Sequence, residues 1–148
     1  MDLAAPEGAS GELTSFGMLF THAVALETRA AALAGQAVAQ AAAGAEKAGL
    51  EGCAGLHRRR VADLERLRRE RLNVVVLQPV AGMARERYVF PETLPAEARA
   101  SAGVLGQVEE ILARFYEDGA RAAGAWAGLE RVFRRYAAES RAQAARLP

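Results

Sequence analysis

Few side chains in this chain of 148 residues are equipped for chemistry. There are two imidazoles, His22 and His57, and one thiol, Cys53. A nucleophilic thiol needs a base beside it and a carboxylate to orient that base. The spacing supplies neither, so Cys53 reads as a buried thiol acting as a small hydrophobe. Glu27 sits among apolar residues and reads either as half of a buried ion pair or as a carboxylate reaching solvent through loose alanine packing. Glu109 has Glu110, Glu117 and Asp118 as neighbours and reads as part of a solvated acidic face. His57 precedes Arg58-Arg59-Arg60 with no second ligand at helical spacing, so a partly exposed surface histidine is favoured over a haem or metal ligand. His22, one step off its apolar stripe, reads as structural.

Arginine concentrates between Arg58 and Arg71 and could present phosphate-binding chemistry to nucleic acid. Asp63, Glu65 and Glu70 interleave with it at three- and four-residue steps, as on a helix surface laced with ion pairs. No aromatic residue lies among them to stack a base, which makes nucleic-acid binding the least favoured of the readings. No G-x-x-x-x-G-K-[ST], C-x-x-C or G-x-S-x-G pattern supports nucleotide, dithiol or hydrolase chemistry.

The elements that carry these residues are helical. Hydrophobic residues make up 51% of the chain, about a quarter of all residues are alanine, and there are five prolines. That composition excludes a wholly disordered chain and favours an all-α domain. The 19 basic and 18 acidic side chains leave a net charge of +1, too little for a global pull on polyanions. With one cysteine there is no internal disulfide framework, and a reducing, cytoplasmic setting is expected. Neither a signal-peptide pattern nor an apolar run of ~18 residues is visible, so no membrane partner is expected.

After a flexible leader over 1–12, one domain is expected over 13–148. Apolar residues at three- and four-residue steps predict helices over about 13–43, 47–72, 96–123 and 126–146. Thr14 or Ser15 is placed to cap the first. The second stripe is read as Leu50, Cys53, Ala54, Val61, Leu64 and Leu67. The fourth includes Trp126, Phe133 and Tyr136, at core spacing. Between them, residues 73–95 contain the Val74–Leu77 run and several prolines, and read as an ordered crossover whose apolar residues pack along the outside of a bundle. Short turns make each helix pair an antiparallel hairpin, and the long crossover lets the third helix run parallel to the second.

With these residues in place the chain resembles the rubrerythrin branch of the ferritin-like superfamily. Phe20-Thr-His22-Ala-Val-Ala-Leu-Glu27 is similar to that family's first helix, and Val108-Glu109-Glu110 leading to Phe115-Tyr116 to its third. Phe133-Arg-Arg-Tyr136-Ala-Ala-Glu139-Ser140 is similar to its closing helix. The resemblance implies a ferritin-like four-helix bundle, and it would imply a di-iron centre. That centre takes a glutamate from each of two helices and a Glu-x-x-His pair from each of the others. Here the residues three before His22 and His57 are Leu19 and Ala54, so no such pair exists. Glu27 and Glu109 remain as residual metal candidates. The degenerate ligand slots fall at Ser140 and Gln143 on the fourth helix. On the second they fall at Arg58 and Val61, or at His57 and Arg60 if the register is one residue off. An inward Arg58 would pair with Glu27 or Glu109 and stand where metal would be.

The expectation that follows is a non-catalytic bundle protein with a binding or assembly role. No cofactor is expected, although iron is possible if the residual site is competent. The alternative is a metal-handling or oxidoreductase member with a degenerate or mononuclear site built from Glu27, Glu109 and Glu139 or His57. A homodimer is expected if the alanine-rich face of the first helix is left uncovered.

Overall fold

The computed structural model describes residues 11–75, 78–124 and 127–147. Residues 1–10, Val76, Leu77 and Trp126 lie outside them, and so does what was expected of each. Among the described residues the chain is all-helical: α1 is Phe16–Gln40, α2 Ala45–Val75, α3 Ala98–Ala123 and α4 Ala127–Arg146. A single 3-10 turn, Arg85–Tyr88, interrupts the crossover.

α1 begins where Ser15 Oγ accepts the Met18 N–H at 3.2 Å, one of the amides a helix start leaves without a partner. Its buried face runs through Phe20, Ala23, Glu27, Ala30 and Ala34, steps of three and four that continue straight through the carboxylate. Glu97 caps α3 by accepting from the Arg99 and Ala100 amides at 3.0 and 2.9 Å. Gly124 ends that helix at φ +40°, in the left-handed region that L side chains avoid.

The directions of the helices follow from who meets whom. Glu27 meets His57, Gln40 meets Ser101 and Glu117 meets Arg141, so α1 runs antiparallel to α2 and α3, and α3 to α4. α2 and α3 are therefore parallel. The core is aromatic at one end, where Phe20, Phe115, Tyr116, Phe133 and Tyr136 stack at centroid distances of 5.1–6.0 Å. Towards the other end Ala34, Cys53 and Ala54 let α1 and α2 approach closely.

The crossover is held more firmly than its sequence suggests. Leu13 N–H donates to Met83 O, Phe16 N–H to Gln78 O, Val80 N–H to Thr14 O and Arg85 N–H to Gly11 O, all at 2.8–3.1 Å. Gly11 and Glu12, expected within the flexible leader, are thus tied down. Val80, Met83, Tyr88 and Phe90 are buried in the main core rather than laid along its outside. Val74 and Val75, expected in the crossover, belong to α2. No helix among the described residues is long and apolar enough to cross a membrane.

Candidate functional site

Midway along the bundle a layer of polar side chains replaces the hydrocarbon. α1 contributes Glu27; α2 contributes Cys53, His57 and Arg60; α3 contributes Glu109 and Tyr116; α4 contributes Ser140. Each is 1% exposed or less. Helical periodicity brings them together, because Leu50, Cys53, His57, Arg60 and Leu64 follow one another at alternating steps of three and four.

His57 is the centre of the layer. Its Nδ1 lies 2.6 Å from Glu27 Oε1 and its Nε2 2.6 Å from Glu109 Oε2. The same Glu109 oxygen accepts from Cys53 Sγ at 3.3 Å. Burial by itself would strip the proton from the imidazole, but hydrogen bonds to Cys53, Glu109 and Glu27 and the Glu109 charge push its pKa up to about 11. In this arrangement His57 is a cation that donates from both nitrogens.

Arg60 is the second buried cation. Nη1 donates to Glu27 Oε2 at 3.2 Å and to Ser140 Oγ at 2.8 Å, and Nη2 to the Tyr136 carbonyl at 2.8 Å and to Glu139 at 3.3 Å. Its guanidinium carbon also lies 5.0 Å from the Tyr136 ring centroid and 5.6 Å from that of Tyr116. Glu27 receives a further hydrogen bond from the Tyr116 hydroxyl. Burial alone would raise the carboxyl pKa of Glu27; His57, Arg60 and Tyr116 together bring it below the ordinary value. Burial, reinforced by the Glu27 charge, drives the Tyr116 hydroxyl well up. The Cys53 thiol is raised by burial and stays protonated. Within the layer two cations face two buried carboxylates, and Glu139 meets Arg60 from its half-exposed edge.

Several expectations change here. His57 is fully buried, not a surface residue, and Glu109 is buried rather than part of a solvated acidic face. Arg58 points outward, with Nε donating to Ala54 O on its own helix, and Val61 is only half-buried. The inward pair on α2 is His57 and Arg60. That pair is the second of the two registers allowed for α2 by the resemblance; the apolar stripe steps around both residues because they are polar, and the unbroken three-four spacing from Leu50 to Leu64 is what selects this register. On α4 Ser140 and Gln143 do face inward, Ser140 onto Arg60. His22 packs its ring 5.8 Å from that of Phe115, and burial followed by the Arg85 charge lowers its pKa to about 4.

The residues present do not suit a pair of irons. Arg60 is a permanent cation, with Nη1 bonded to Glu27 Oε2 and to Ser140, both positions where the resemblance would place ligands. One imidazole is available, and both of its nitrogens already face carboxylates. Two further divalent ions would meet a layer whose negative charge is already matched. Comparison of the chain with protein-family models, with curated proteins and with solved structures finds no match in any of the three.

Proposed function

We propose that this chain is a ferritin-like bundle in which a buried ion-pair layer stands in place of a di-iron centre, and that its role is binding or assembly rather than oxidative catalysis. The helix directions and the long crossover support the ferritin-like reading. The observation that carries the functional one is Arg60, seated between Glu27 and Ser140 with both terminal nitrogens bonded. An arginine is always charged at accessible pH, so it cannot give way by losing a proton as a lysine or histidine could.

A groove of about 610 Å³ between the start of α2 and the end of α4 offers a place for binding. Leu50, Leu56 and Leu147 supply apolar surface, and Arg59 and Arg146 outnumber Glu46 as charged groups on its lining. That chemistry suits a small apolar ligand with an acidic head. The reason for expecting a homodimer is weakened, because Ala30, Ala34 and Ala37 of α1 are covered within the chain.

Anaerobic loading with ferrous ion followed by desalting and metal analysis tests the proposal. The expected result is no uptake of two irons per chain and no absorption from bridged ferric ions after oxygen is admitted. Two tightly held irons per chain would overturn it. For the groove, a fluorescent fatty-acid analogue is expected to bind the wild type and to lose affinity at least fivefold in an Arg59→Glu, Arg146→Glu variant. Equal binding by both would remove the groove from the proposal.

A further inference from the structure

Within the buried layer, three donors of different chemistry cluster on the far side of Glu27 from Arg60. Cys53 and His57 are four residues apart on the inward face of α2, and Glu109 faces them from α3. Their ligand-capable atoms, a sulfur, a nitrogen and an oxygen, all lie within 4.8 Å of one another. A second observation bears on the same spot. Glu109 is 1% exposed, yet its Oε1 is buried without a hydrogen-bond partner. An orphaned carboxylate oxygen in the interior costs free energy that a cation would return.

The geometry points to a site for a single zinc-class divalent cation held by Cys53, His57 and Glu109. The surroundings are those such a site requires. Glu27 Oε1 holds His57 by Nδ1, which leaves Nε2 to act as the ligand and orients the ring, the usual role of a carboxylate behind a metal-bound imidazole. Tyr116 and Arg60 in turn hold Glu27. A thiolate, an imidazole and one carboxylate form a donor set that suits zinc and not magnesium or calcium, which prefer oxygen alone.

An ion bound here would take Cys53 as a thiolate and His57 through a neutral Nε2, so its uptake releases protons. The donors need little rearrangement. Sγ and Oε2 are 3.3 Å apart, close to a tetrahedral edge, and Nε2 and Oε2, now at 2.6 Å, must separate by somewhat less than about 1 Å. One such ion brings neither a second metal nor oxygen chemistry, so the inference stands independently of the proposed function.

The test uses the full chain, stripped with chelator and dialysed. Titration with zinc is expected to give one equivalent bound per chain with release of protons. Cobalt(II) in its place is expected to give a thiolate-to-metal charge-transfer band in the near ultraviolet. Cys53→Ala should abolish that band and weaken zinc at least tenfold, and Glu109→Gln should weaken zinc at least tenfold, while Arg58→Ala changes neither. No zinc uptake by the folded wild type would overturn the proposal. So would a wild-type cobalt complex without the thiolate band, a measurement that does not depend on whether any variant folds. Magnesium binding as tight as zinc binding would overturn it too.

Discussion

Arg60 Nη1 lies 3.2 Å from Glu27 Oε2 in a layer where the two side chains are 2% and 0% exposed. At that separation and an effective dielectric constant near 20, the attraction is about 5 kcal/mol, and much of it is consumed in taking both charges out of water. What matters for stability is that neither can be left alone.

Removing one partner should therefore be far worse than removing both. Arg60→Met is expected to cost about 3–5 kcal/mol in urea unfolding, because Glu27 loses one of its two cations and Ser140 and the Tyr136 carbonyl lose their buried donor. Adding Glu27→Gln should restore more than 1 kcal/mol of that loss. Simple additivity of the two single variants would show that the pair is not coupled.

The two histidines should pull stability in opposite directions about their common ordinary pKa of 6.5. His57 has its pKa raised to about 11 in the fold, so its contribution is full below about pH 6.5 and declines as pH rises towards 11. His22 has its pKa lowered to about 4, so its contribution is full above about pH 6.5 and is lost as pH falls towards 4. Each slope is at most about 1.4 kcal/mol per pH unit. Stability measured against pH should thus peak near neutrality. His57→Gln should flatten the alkaline side and leave the acid side, and His22→Phe should do the reverse.

One substitution should have opposite signs at two places on α3. A Cβ on Gly119 would stand 3.3 Å from Phe133 Cδ2, and Phe133 is fully buried among other rings with no room to retreat. A Cβ on Gly103 would meet nothing within 4 Å. Gly103→Ala is expected to stabilise by about 0.5–1 kcal/mol through helix propensity. Gly119→Ala should destabilise by about 1 kcal/mol as overpacking outweighs the same gain. Paired melting curves decide it.

The Tyr88 hydroxyl lies 2.5 Å from Asp118 Oδ2 and fastens the crossover to α3. Tyr88→Phe should cost about 1–3 kcal/mol, since Asp118 loses a buried donor while keeping Arg87 at 3.6 Å and its bond to Arg121. Hydrogen exchange should then accelerate at the Leu13, Phe16 and Val80 amides, which bridge the crossover and the start of α1. Unchanged protection there would show that the crossover is held by other contacts.

Much of the architecture was legible before any coordinates. The number and order of the helices, the short turns, the long crossover and the inward faces of α1 and α4 follow from apolar spacing, which is a local property. Ser15 as a cap and Gly124 as a stop are local too. The α2 face was misread because its inward stripe passes through His57 and Arg60, and a hydrophobicity pattern steps around charged residues. Whether a charge is buried depends on which opposite charges other helices bring to it.

By its residue types and spacing alone, the chain pointed to an all-α bundle whose helices carry two carboxylates, an imidazole, an arginine and a thiol. Tertiary packing decided the rest: that His57 stands between Glu27 and Glu109, that Arg60 reaches Ser140, and that Gly11–Phe16 pairs with the crossover. These are contacts between residues 30 to 80 positions apart, and their energies exist only once burial has lowered the local dielectric and fixed the partners within hydrogen-bond range.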